Sequence, residues 1–115
     1  MKDQLYLLRP GFMNAGMGPL YCADSAPIEG MLSFFPRLRS LLDIHYLEFP
    51  RPRTPLVEAL GDQHQSLPVL ILAADCKLKD AELSPGHANG KVYFADEKHI
   101  RQYLSTQYDL PQASE

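Results

Sequence analysis

Two four-residue runs, Leu5-Tyr6-Leu7-Leu8 and Val69-Leu70-Ile71-Leu72, constrain the fold more than any other feature of the chain. Successive side chains of a strand point to opposite faces, so an uninterrupted apolar run buries both faces at once. Such strands belong at the centre of a sheet with helices on either side. Two other segments read as strands of a different kind. Asp43–Phe49 mixes polar and apolar residues, and Lys91-Val92-Tyr93-Phe94 follows an Asn89-Gly90 turn. Mixed strands of this type are expected at sheet edges.

The intervening segments carry helical spacing. Ile28, Met31, Leu32, Phe35 and Leu38 recur on one face, and Pro36 bends or ends that helix around residues 33–35. Thr54-Pro55 followed by Leu56–Leu60 and Gly61 reads as a short helix with a first-turn proline and a C-terminal glycine. Asp96 is a good N-cap for a last helix in which Ile100, Tyr103 and Leu104 face the core and Glu97 pairs with Arg101. The order is therefore βαβαββα. The expected fold is α/β, a four-stranded mixed sheet of order 2-1-3-4 flanked by helices, its first two strands parallel through a right-handed crossover. One domain covers 1–115, with a core over about 4–107 and a tail over 108–115 that frays from Asp109. The segments 9–21 and 73–90 are long turn-rich loops.

Tyr21-Cys22-Ala23-Asp24-Ser25 places a thiol just ahead of the first helix. There the helix dipole and unpaired N–H groups stabilise a thiolate, the reactive form. Pro27 argues the other way. It lacks an N–H and belongs in the first turn, which favours Asp24 or Ser25 as N-cap and leaves Cys22 outside the helix. The Asp24 carboxylate also opposes a thiolate beside it. Cys22 is thus either an activated nucleophile or an inert thiol, and Ser25 either donates to the sulfur or caps the helix. In this Cys-x-x-Ser spacing a hydroxyl stands where a dithiol oxidoreductase carries its second cysteine. Tyr21 either flanks a bound ligand or packs. Cys76, the only other thiol, lies in the long loop, where it either has no part in the site or, the lesser reading, resolves a mixed disulfide at Cys22.

In this order of elements the chain resembles the thioredoxin-like superfamily, nearest the glutaredoxin and glutathione-transferase N-terminal branch. Three segments carry the resemblance: Tyr21–Ser25 after the first strand, Ser66-Leu67-Pro68-Val69 before the third, and Val92-Tyr93-Phe94-Ala95-Asp96-Glu97 leading into the last helix. The chain also looks like a small family of uncharacterised bacterial proteins assigned to that superfamily, a likeness that implies no activity. The superfamily resemblance implies that Cys22 is the thiol and Pro68 a cis-proline facing it. It implies that Leu67 offers main-chain hydrogen bonds to glutathione, while Asp96, beside Glu97, approaches its amino and carboxylate groups. Ala95-Asp96 stands where transferases commonly have Glu-Ser, and the helical second domain of a transferase is not in this chain. The expected function is a cytoplasmic monothiol, glutathione-dependent oxidoreductase, with glutathione or a protein thiol or disulfide as partner. The alternative is a thioredoxin-fold binding or assembly module without turnover.

Composition excludes other classes. A net charge of −3 gives no reason to expect nucleic acid or an anionic membrane. No apolar run reaches membrane-spanning length, and no signal-peptide pattern opens the chain. Arg37, Arg39, Arg51 and Arg53 form either an anion patch or a solvated helix end and loop. His45, His64, His87 and His99 show no metal-ligand spacing with each other or with the cysteines, so no metal and no tightly bound cofactor is expected. His64 either approaches the Pro68 loop or lies on the surface.

Overall fold

The computed structural model describes residues 1–114, and in it both uninterrupted apolar runs are inner strands of one sheet. In chain order the elements are β1 (Asp3–Leu8), β2 (Phe12–Asn14), β3 (Met17–Leu20), α1 (Ala26–Phe34), α2 (Leu38–Leu41), β4 (Leu42–Leu47), α3 (Thr54–Leu60), β5 (Val69–Ile71), β6 (Gly86–Ala88), β7 (Lys91–Phe94) and α4 (Glu97–Gln107). The mixed five-stranded sheet runs β4-β1-β5-β7-β6, and β2 pairs with β3 in a separate hairpin. β1 is parallel to β4 and antiparallel to β5, and β7 is antiparallel to both of its neighbours.

The two faces of β1 and β5 explain their lack of polar residues. Leu5, Leu7 and Leu70 pack with Ile28 and Leu32 of α1 and Ile100, Tyr103 and Leu104 of α4. Tyr6, Val69 and Ile71 pack on the opposite face with Leu56 and Leu60 of α3. Each such fully buried side chain stabilises the fold by about 1.5–3 kcal/mol. Pro36 ends α1 as its missing donor requires: Phe35 closes the helix by donating to the Met31 carbonyl, and the chain restarts in α2.

Four expectations are corrected. The sheet has five strands, so the four-stranded order 2-1-3-4 is not the sheet observed. β6 pairs along β7 across the two-residue Asn89-Gly90 turn, and Lys91–Phe94 is therefore an inner strand and not an edge. Residues 9–21 are not an unstructured loop, because Phe12–Asn14 and Met17–Leu20 form a hairpin whose two turn residues, Ala15 and Gly16, both have positive φ. The tail does not fray at Asp109: Leu110 is buried in the main core, its N–H donates to the Ser105 carbonyl, and the Ser105 hydroxyl donates to the Pro111 carbonyl. Residue 115 of the expected tail lies outside the described residues.

Candidate functional site

Pairing directions bring the singled-out residues to one end of the sheet. β1 and β7 both end there and β5 begins there, so Cys22, Leu67-Pro68 and Asp96-Glu97 gather around the same rim. Cys22 and Leu67 meet directly, with Sγ 4.0 Å from the Leu67 carbonyl oxygen. The Leu67-Pro68 peptide is cis. Among the described residues the Leu67 N–H makes no hydrogen bond, and the residue is half-buried.

The local structure around Cys22 combines both readings of the helix start. The Ala26 N–H donates to the Cys22 carbonyl at 3.1 Å, and the Ser25 N–H donates to Cys22 Sγ at 3.3 Å. A side-chain acceptor bonded to an N–H three residues on is the arrangement of an N-cap. Pro27 then removes the next donor, and the ladder resumes with the Glu29 N–H donating to the Ser25 carbonyl. The sulfur thus takes over part of the capping role that sequence reasoning assigned to oxygen. Ser25 is the N-cap residue of α1, one of the two positions expected, but its hydroxyl neither caps the helix nor bonds the sulfur. It is buried and accepts from the Leu8 N–H at 3.2 Å, fastening the head of α1 to the end of β1. What Ser25 offers the sulfur is its backbone N–H.

On one side of Cys22 lies a cavity of about 150 Å³ lined by Leu7, Leu8, Pro10, Tyr21, Ala26, Glu29 and Tyr46 as well as Cys22 and Ser25. Tyr21 is 69% exposed, so its ring is a wall of the site and not part of the core. Tyr46 donates its hydroxyl to Glu29 Oε1, and Arg39 donates to Glu29 Oε2 at 2.8 Å. Burial, then the bond to Glu29, push the Tyr46 phenol above its ordinary range, so it stays a donor.

On the other side is a residue whose importance the sequence did not show. Arg53 is only 8% exposed and has no carboxylate within ion-pair distance among the described residues. Its guanidinium donates to the Gln65 carbonyl at 2.7 Å and to the Phe49 carbonyl at 2.7 and 3.2 Å, and its N–H donates to Gln65 Oε1 at 2.7 Å. These bonds hold the 49–53 segment against the loop that leads to Leu67-Pro68. Burial, then the like charge of Arg51, lower Arg53 from its ordinary value, while the negative charge that Cys22 acquires as a thiolate acts in the opposite direction. The only sequence signal for this role was an arginine within the Pro-Arg-Pro-Arg stretch. The four arginines do not form one patch: Arg37 donates to the Tyr108 and Asp109 carbonyls, and Arg39 to Glu29, on the α1 side.

Asp96 and Glu97 are engaged within their own helix. Asp96 Oδ1 accepts from the Lys98 and His99 N–H groups at 2.9 and 3.2 Å, and Glu97 pairs with Arg101 at 3.0 Å. Asp96 Oδ2 takes no hydrogen bond among the described residues. His64 turns to Tyr93, whose hydroxyl lies 3.4 Å from its Nδ1, and does not reach the thiol.

Cys76 belongs to a different cluster. Its sulfur lies 3.3 Å from the Tyr103 hydroxyl, and the Tyr103 and Tyr108 hydroxyls both donate to the buried carboxylate of Asp3. Asp3 opens β1 whereas Cys22 follows its end, so the two thiols occupy opposite ends of the sheet. Burial pushes the Cys76 thiol up. As a resolving cysteine for Cys22 it is corrected by geometry. Among the described residues no three His, Cys, Asp or Glu side chains are grouped as metal ligands, and no helix is long and apolar enough to cross a membrane.

No curated protein and no solved structure matches the chain. One family does, described as "Protein of unknown function (DUF3088)"; it spans residues 2–112, nearly the whole of the rim, sheet and helices described above, and the chain belongs to that family.

Proposed function

We propose that this chain is a thioredoxin-like domain acting as a monothiol, glutathione-dependent oxidoreductase, with Cys22 as its nucleophile. The observation that carries the reading is the setting of one sulfur: Cys22 Sγ receives the Ser25 N–H and lies beside the Leu67 carbonyl, with the Leu67 N–H unused next to it. The parallel β1–β4 pair joined through α1, with β5 and β7 antiparallel beyond, supports the fold assignment. In the first step the Cys22 thiolate attacks the glutathione sulfur of a mixed disulfide. A Cys22–glutathione bond forms, and the other sulfur leaves as a thiolate. A second glutathione thiolate then attacks the glutathione held on Cys22, releasing oxidised glutathione and restoring the Cys22 thiolate. No second protein thiol is needed, in keeping with Ser25 in the Cys-x-x-Ser motif. Leu67 would pair with the main chain of the tripeptide, Pro68 would shape the loop, and Asp96 Oδ2 would receive its amino group.

The test is incubation with oxidised glutathione followed by mapping of the adduct by mass spectrometry. The reading expects the added tripeptide on Cys22, its loss in Cys22→Ser, and little modification of Cys76. An unmodified Cys22 under conditions that modify a free cysteine would end it. One observation favours the second reading, a binding module without turnover: the β2–β3 hairpin exposes Met13 and Met17, and Tyr21, just after it, is exposed as well. That reading expects a slow Cys22 and a partner whose binding survives Cys22→Ser but not Met17→Asp.

A further inference from the structure

We infer that the cavity beside Cys22 is a specificity pocket for a compact, neutral, apolar group borne on the sulfur that Cys22 attacks. The inference rests on Cys22 being the nucleophile, as proposed above, but not on glutathione being its partner. Its basis is the chemistry of the walls. Leu7, Leu8, Pro10 and Ala26 supply carbon, and Tyr21 adds an exposed ring at the mouth. The one acid in the lining is Glu29, and both of its oxygens are engaged, Oε1 by the Tyr46 hydroxyl and Oε2 by Arg39. Apart from the Cys22 sulfur, whose charge is consumed in the reaction, the pocket therefore offers a ligand no unpaired charge, so a cationic or anionic substituent would lose hydration there without a partner once the Cys22–S–R bond has formed. The uncompensated cation of the site, Arg53, lies on the Gln65 side, away from this lining. Size selects further. The cavity is about 150 Å³, and an apolar cavity of about 150 Å³ holds one benzene ring. Because Cys22 is itself part of the wall, the ring must sit within a bond or two of the reacting sulfur.

The substrate class is accordingly a disulfide R–S–S–R′ in which R is a ring-sized hydrocarbon group. The Cys22 thiolate attacks the R-bearing sulfur, the Cys22–S–R bond forms, and R′–S⁻ departs. A second thiolate then removes R–S as a mixed disulfide and returns Cys22 to its thiolate. The experiment uses two reagents that transfer R–S and expel the same sulfinate, benzyl and methyl methanethiosulfonate. The intact protein is treated with each, and modification of the Cys22 peptide is timed by mass spectrometry. The benzyl-to-methyl rate ratio, divided by the ratio for free cysteine, is expected to be about 10 or more, the order that burial of a ring would supply. Ala26→Leu, which places carbon in the cavity, is expected to bring that ratio to about 1 on the same area argument; since a ratio is read, any change in the sulfur's own reactivity cancels. A ratio of one or less in the unaltered protein, or one that Ala26→Leu leaves high, overturns the pocket. Slow reaction with the methyl reagent, relative to free cysteine, would instead count against the reading of Cys22 as an activated nucleophile, whatever the ratio.

Discussion

At the scale of single residues, a buried polar cluster around Asp3 lies at the far end of the sheet from Cys22. Asp3 is 3% exposed, and its carboxylate accepts the Ala73 N–H at 2.7 Å together with two tyrosine hydroxyls. This joins the start of β1 to α4 and to the segment after β5. Burial first, then the bond to Asp3, push Tyr103 and Tyr108 well above the ordinary phenol range. The folded protein therefore keeps both phenols protonated at a pH where the unfolded chain, titrating near its ordinary value of about 10, releases them. The stability they contribute is complete below that value and is lost as pH rises above it. The expected outcome is a urea midpoint that holds across neutral pH and falls steeply in alkali. Tyr103→Phe should start lower by about 1–3 kcal/mol, since the buried carboxylate loses a donor, and should show a shallower alkaline fall. A slope identical to that of the unaltered protein would contradict the assignment.

At the scale of elements, β6 shows what the sequence did and did not reveal. Its register sets Gly86 opposite Tyr93, and a methyl group added at Gly86 would lie 2.6 Å from the Tyr93 ring. Gly86→Ala should therefore destabilise the protein by about 1–3 kcal/mol, and Tyr93→Val should remove most of that penalty in the double variant. Thermal melts of the four proteins complete the cycle, and additive effects would refute the contact. The strands and helices with strong local patterns were legible: the apolar runs of β1 and β5, the spacing of Ile28, Met31 and Leu32, and Asp96 as the cap of α4. β6 was not, because Gly86-His87-Ala88 has neither length nor alternation and is a strand only through its neighbour β7. The one local hint was Asn89-Gly90, a two-residue hairpin turn with positive φ at both positions. The β2–β3 hairpin escaped for a similar reason, since Ala15 occupies a positive-φ position where glycine or asparagine is the usual sign. Within the site, Cys22 and Leu67-Pro68 were legible as motifs. Arg53 was not, because its partners are main-chain carbonyls of residues that only the fold brings near.

At the scale of the whole molecule, the sheet itself separates the two thiols. Cys22 lies at the end of β1, where Leu8 bonds Ser25, and Cys76 lies beside the cluster at its beginning, around Asp3. β1 runs from Asp3 to Leu8, and at about 3.3 Å per residue its ends stand roughly 17 Å apart. A disulfide needs its Cα atoms within about 7 Å. Closing that gap would require dismantling the inner strand that both hydrophobic layers pack against. Oxidation of the folded protein should therefore yield no intramolecular Cys22–Cys76 bond, whichever reading of Cys22 is right. With diamide and no added thiol, the monomer should keep two thiols that alkylate after denaturation, or pass to a dimer joined through the accessible Cys22. With glutathione present, the oxidoreductase reading adds one tripeptide, on Cys22, and the binding-module reading leaves both thiols free. Intact mass and non-reducing electrophoresis separate these products. A monomer two hydrogens lighter, with a tryptic peptide linking the two cysteines, would show that the two ends of β1 come together, which this architecture forbids.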